Sequence, residues 1–119
     1  MEPATIARAA ILGLGCAIAD ALDTLVASQG APKRILIVGG GARSGGLRQA
    51  VADLTGYAIE WPEHREHAAI GAARQAALAL TGTLPDWPVK FNARAIPSSE
   101  RAWAQDVRAA YRAVAALHQ

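Results

Sequence analysis

The segment RILIVGGGARSGGL, residues 34–47, restricts the possible folds of this chain more than any other. Four branched apolar residues, Ile35, Leu36, Ile37 and Val38, run directly into Gly39, Gly40 and Gly41. An unbroken apolar run of that length predicts a strand over 34–38 covered on both faces, as in a parallel sheet. Three glycines in succession cost conformational entropy, so a turn that only redirects the chain seldom needs them all. They permit positive φ and let a flat or anionic ligand approach the backbone. The N–H groups of a helix that begins just beyond such a turn can face that ligand. The expectation is a nucleotide-contacting loop between a strand and a helix.

A chain of 119 residues supports one modest domain with a small core. Hydrophobic residues at 52% against 18% charged make it globular, and the many alanines favour helices. A formal net charge of +2, scattered arginines and few aromatics argue against a nucleic-acid partner. Cys16 is the single cysteine, which excludes an intrachain disulfide and agrees with a reducing cytoplasm. On a helix it reads as a small buried residue. The stretch 9–19 is apolar but lacks a basic cluster before it, and Asp20 and Asp23 follow in the same helical period. That uncharged run is too short to span a bilayer and reads as part of a buried amphipathic helix, with no membrane partner.

Ile6, Ile11, Leu14, Ile18, Leu22, Leu25 and Val26 keep helical spacing after Pro3, and Gly30 with Pro32 ends that helix. A strand over 34–38 follows, then a helix over 44–55 stopped by Gly56. A second strand is expected over 57–61, ended by Pro62, and a third helix over 66–80, ended by Gly82. The segment 84–97 holds Pro85, Pro88 and Pro97 and reads as irregular. A last helix is expected over 98–117, its start SSER offering hydroxyls and a carboxylate as caps. The fold class is α/β, in the order α-β-α-β-α-loop-α. Strand, helix and strand in so short a span form a βαβ unit with parallel strands. Two strands make a small sheet, so the chain reads as part of a larger domain. Its open sheet edge and apolar helix faces predict a homo-oligomer.

The order and spacing of these segments resemble the C-terminal end of the FGGY carbohydrate kinases, of the actin-like ATPase superfamily. The resemblance runs from LDTLVASQGAPKRILIVGGGARS through LRQAVADLTGYAIEWPEHREHAAIGAARQAAL to PSSERAWAQDVRAAYRAVAAL, nearly the whole chain. Within the family it is most similar to the enzymes that act on xylulose. The resemblance implies a partial ribonuclease H-like domain, with residues 1–119 the C-terminal part of the nucleotide-side domain. It implies ATP and Mg2+ as cofactors of the complete enzyme, and a pentulose or related sugar as acceptor. The strand and GGGARS resemble the family's adenosine-binding motif. Where the family carries a large aromatic after the loop, this sequence has Gly45, Gly46 and Leu47, so a looser start to the second helix is expected. The family's N-terminal domain, with its phosphate-binding turn and aspartate base, has no counterpart here.

On this resemblance the cofactor-binding residues are Gly40, Gly41, Ala42 and Ser44. A β-carbon at Gly40 or Gly41 would collide with adenine or ribose, Ala42 stays small for the same reason, and Ser44 can cap the helix and donate to a ribose or phosphate oxygen. Arg43 either covers the base or points to solvent. The start of the third helix, near Ala68, is expected to lie close to the loop. No catalytic residue and no metal ligand is identified. His64 and His67 are spaced as ligands can be, but without a third partner. Glu63 and Glu66 suit a helix start. Gly71 is expected to permit close helix packing, and Trp87, between prolines, to lie over the body of the domain. Two other functions remain open. Gly39-x-Gly41-x-x-Ser44 approximates a dinucleotide fingerprint, with Glu60 near the position of a ribose-binding acid. The alternative is a helix-mediated interaction module without nucleotide.

Overall fold

A computed structural model of the chain describes residues 2–63, 66–91 and 94–118. Helix α1, Pro3–Gln29, carries proline at its first turn and ends at Gly30, whose N–H bonds the Val26 carbonyl. Strand β1 is Ile35–Leu36. A 3-10 turn, Gly40–Arg43, leads into helix α2, Gly45–Thr55. Strand β2 is Ile59–Glu60, helix α3 is His67–Thr81 and helix α4 is Trp103–Ala115, followed by a 3-10 turn at Ala116–His118. The order is the expected one, and Gly56 and Gly82 stop their helices in the left-handed region.

The two strands pair in parallel, Ile35 opposite Ile59 and Leu36 opposite Glu60, with α2 as the crossover. They are shorter than expected, although Ile37 N–H donates to the Glu60 carbonyl at 2.9 Å and extends the contact by one residue. The segment 84–97 is less irregular than its prolines suggest. Ile59 and Ala95 exchange two backbone hydrogen bonds of 2.9 Å, and Pro62 bridges Phe91. β2 is thus flanked by β1 on one side and by an antiparallel return segment on the other. Prolines supply no N–H, which holds that return to isolated bridges.

Two apolar clusters meet on α2. Leu47, Val51 and Ala52 pack with Ile59 and Ala95, joined by Ile11, Ile18, Ile35, Ile37 and Trp61. On the other side Leu54 packs with Cys16, Ala19 and Ala104, joined by Leu12, Trp103, Val107 and Tyr111. Gly15 makes the α1–α2 approach possible, since a β-carbon there would stand 2.8 Å from the Leu54 methyl. Arg108 and Arg112 of α4 reach Asp20 of α1 at 2.8 and 2.7 Å and also pair with Asp23.

Several expectations are corrected. The strand run is covered on one face only. Ile35 and Ile37 face the core, while Leu36 and Val38 are 45% and 57% exposed. Alternation along a strand separates the two pairs, and nothing in the described residues covers the outer one. α1 is not a buried helix: only Gly15, Cys16 and Ala19 are buried, and Ile6, Leu14 and Leu25 are open. By length and composition α1 could cross a membrane, a test the uncharged run 9–19 had failed, with mean hydropathy 1.7 over its most apolar window. Its contacts with α2 and its ion pairs with α4 are those of a helix packed in a domain.

Gly71 does not serve close packing. Among the described residues nothing lies within 4 Å of a β-carbon built there, and α3 packs against no other helix or strand. α4 begins later than expected: Ser98 and Ser99 lie before it outside any helix, and Ala102 stands at its start with no side-chain cap. Ser98 N–H donates instead to the buried Asp53 carboxylate at 2.7 Å, which fixes the return segment on α2. The start of α2 is held despite its two glycines, because Ser44 Oγ accepts from Leu47 N–H at 3.1 Å and Leu47 is buried.

Candidate functional site

A cleft of about 390 Å³ opens at the carboxyl ends of both strands. One wall is Ile37, Val38, Gly39, Gly40, Ala42 and Arg43, and the other is Pro62, Glu63, Glu66, His67 and Ala68. Ligands of open α/β sheets bind in this place, outside the strand ends where adjacent loops diverge.

The glycine turn shapes the first wall. Gly39 has φ 90° and ψ −171°, a region that in practice only glycine occupies. This turns the chain sharply out of the sheet. Ala42 N–H then bonds the Gly39 carbonyl and Ser44 N–H the Gly41 carbonyl, both at 3.1 Å. Arg48 ties the turn from behind. Its Nη1 donates to the Ala42 carbonyl at 2.6 Å, and its guanidinium lies 3.9 Å from the centre of the Trp61 ring. Arg48 carries no signal in the sequence, because one arginine in a helix resembles any other until the turn folds back over it.

The four residues expected at the site divide into two pairs. Gly40 and Ala42 line the cleft, and a β-carbon on Gly40 would meet nothing within 4 Å. Gly41 faces the protein instead, where its β-carbon would stand 3.3 Å from Leu47. Ser44 spends its oxygen on the cap of α2 and does not line the cleft. Arg43 is exposed at the mouth.

The opposite wall is the first turn of α3, as the expected closeness of Ala68 to the loop requires. The Glu66 side chain at this helix start does not cap it. Its N–H groups therefore add a partial positive charge beside Arg43, opposed by the carboxylates of Glu63 and Glu66. His67 Nε2 lies 3.1 Å from the Glu63 carbonyl oxygen. Among the described residues no three His, Cys, Asp or Glu side chains gather to hold a metal ion, and His64 lies outside them.

Glu60 is not part of this cleft. Its carboxylate pairs with Arg34 at 2.6 Å and Arg94 at 2.7 Å, and Arg34 also covers the Phe91 ring at 4.2 Å. The Arg34 hydrogen bond holds the Glu60 carboxyl below the ordinary glutamate value. A ribose-binding acid would need that carboxylate free at the strand end. Cys16 sits in the core, where burial raises its thiol pKa, as a structural residue does.

Residues 1–80, which include both strands, the glycine turn and nearly all of α3, match the C-terminal domain of the FGGY family of carbohydrate kinases. The chain belongs to that family. It is 39% identical over 59 residues to xylulose kinases of Escherichia coli K12 and Klebsiella pneumoniae, an alignment that spans 50% of this chain and 12% of each relative. Its fold is similar to the crystal structure of xylulose kinase from Bifidobacterium adolescentis, with TM-score 0.63 and 34% identity, over 86% of this FGGY chain and 20% of that one. The chain therefore spans a small part of the length of the kinases it matches.

Proposed function

We propose that this chain forms the adenosine side of the ATP site in a sugar kinase that transfers the γ-phosphate to a hydroxyl of xylulose or a related pentulose. In this reading the domain is part of a ribonuclease H-like unit of the actin-like ATPase kind, and the enzyme works in the cytoplasm. The observation that carries the reading is the Gly40 wall. It is side-chain-free backbone at the carboxyl end of a parallel strand, open to a cleft whose far wall is a helix start that Glu66 does not cap. Phosphoryl transfer depends on positioning and charge stabilisation more than on covalent chemistry. The share of this chain is positioning: Gly40 and Ala42 admit the adenosine, and Arg48 keeps their turn rigid. Magnesium enters as part of the MgATP substrate.

The dinucleotide alternative loses support from Glu60, whose carboxylate is taken by two arginines away from the cleft. NMR shift mapping at millimolar ATP tests the proposal. Shifts are expected at Gly39, Gly40, Ala42 and the first turn of α3, with NAD giving no stronger pattern. A silent loop, or an NAD response that includes Glu60, overturns it. A coupled ADP-release assay with xylulose is expected to show no turnover from this chain alone, since it offers no base or phosphate-binding turn.

A further inference from the structure

At the opposite end of the strands from the glycine-turn cleft lies a cavity of about 120 Å³, whose wall includes Pro32, Lys33, Arg34, Tyr57, Glu60 and Arg94. It shares no lining residue with that cleft. Three cations surround it against one carboxylate, so two positive charges stand unbalanced at its wall. Like charges gathered in this way repel one another, yet the fold holds two of them firmly in place. Glu60, whose side chain is 9% exposed, grips Arg34 through one carboxylate oxygen and Arg94 through the other. The Phe91 ring lies under the Arg34 guanidinium and holds it from a second side. Glu60 occupies only Nε and Nη2 of Arg34 and Nη2 of Arg94. Arg34 Nη1, Arg94 Nε and Nη1, the Lys33 ammonium and the Tyr57 hydroxyl have no hydrogen-bond partner among the described residues.

We propose that this cavity binds a phosphoryl group, carried by inorganic phosphate or by a phosphate monoester. Guanidinium forks match pairs of oxygens on a tetrahedral dianion, and hydrogen bonds between charged partners are roughly twice as strong as neutral ones. The two charges of such a ligand balance the two left over on the protein. Glu60 holds both forks in position before the ligand arrives, which lowers the ordering cost of binding with long side chains. A monocarboxylate carries half that charge and offers one pair of oxygens, and a neutral sugar cancels none of the charge. The site does not rest on the nucleotide reading. Lys33, Arg34 and Tyr57 precede the strands, and Arg94 comes from the return segment, so none of the cations belongs to the glycine turn.

The test titrates the intact chain with sodium phosphate and, separately, with ribose 5-phosphate. Both run at about pH 7.5, where a phosphate monoester is close to doubly charged, with chloride holding the ionic strength constant. The tighter of the two identifies the source of the phosphoryl group. Both are expected to shift the Arg34 side-chain Nε–H and the backbone amides of Arg34, Ala58 and Arg94, and to do so equally in a Gly40→Val chain. Lys33→Gln and Arg94→Gln leave the Arg34–Glu60 pair intact, and each is expected to weaken binding roughly threefold or more. If sodium chloride alone produces the same shifts, the cavity attracts charge without selecting a phosphoryl group and the proposal fails. It fails equally if both variants bind phosphate as the parent does, or if the shifts gather at Gly39–Ala42 instead of around Arg34.

Discussion

At the scale of single residues, the three consecutive glycines have three different physical roles. Gly39 carries a backbone angle that other residues reach only under strain. Gly40 faces open space, and Gly41 makes room for Leu47 beneath the turn. Substitutions should separate them. Gly39→Ala is expected to cost about 1–3 kcal/mol of stability, read as a lower urea midpoint, because the strained angle persists. Gly40→Val has no neighbour to strike and no positive φ to pay for. It should leave the urea midpoint within about 0.5 kcal/mol of the parent while removing the ATP-induced shifts at Ala42. Equal loss of stability in both variants would show that Gly40 shapes the turn rather than the cleft.

At the scale of elements, polar contacts fix what apolar contacts leave free. α4 meets α1 through Asp20, Asp23, Arg108 and Arg112. The Arg112 hydrogen bond, with Arg108 beside it, lowers the Asp20 pKa below its ordinary 3.8, against a smaller opposing effect of burial. A carboxylate with a depressed folded pKa contributes stability fully above the unfolded value and loses it as pH falls through the folded one. The α1–α4 contact should therefore be unaffected near neutrality and loosen below about pH 4. An acid titration followed by near-ultraviolet circular dichroism of Trp103, which lies in that interface, checks this. A signal lost already above pH 5 would assign the docking to another group. The return segment depends on Asp53, whose Oδ1 accepts from Ser98 N–H at 2.7 Å and Gln49 Nε2 at 3.0 Å. Asp53→Ala leaves a part-buried N–H without its acceptor and is expected to cost about 1–3 kcal/mol. Hydrogen exchange should show it as faster exchange at Ala95 and Ser98, with the amides of α1 unaffected.

At the scale of the whole molecule, the chain is elongated. Its radius of gyration is 17.4 Å, against roughly 13.5 Å for a compact domain of this length. Among the described residues α3 packs against no other helix or strand, and Leu80 near its end is 87% exposed. Leu36 and Val38, on the outer face of β1 and its continuation, are apolar and exposed among the described residues. Surfaces of this kind associate. Multi-angle light scattering across a concentration series is expected to give a dimer or higher oligomer. A monomer that persists at the highest concentration would show that these faces tolerate water.

Much of the element order could be read from local sequence. Gly30, Gly56 and Gly82 stop helices because the helix terminus needs a left-handed or otherwise open backbone there, and that demand is local. The strand before the glycines, the parallel βαβ unit and the buried Cys16 followed from pattern and spacing alone. The cleft depended on more. Gly41 and Ser44 looked equivalent to Gly40 and Ala42 in sequence, and only the 3-10 turn decided that one pair faces the cleft and the other the protein. The roles of Arg48, Glu60 and Asp53 rest on partners 6, 26 and 45 residues distant. A periodicity read in short windows carries no information about such contacts. The exposed state of α1 and α3 was beyond local reading for the same reason: hydrophobic spacing marks the face a helix must cover, and only the assembled chain determines whether anything covers it.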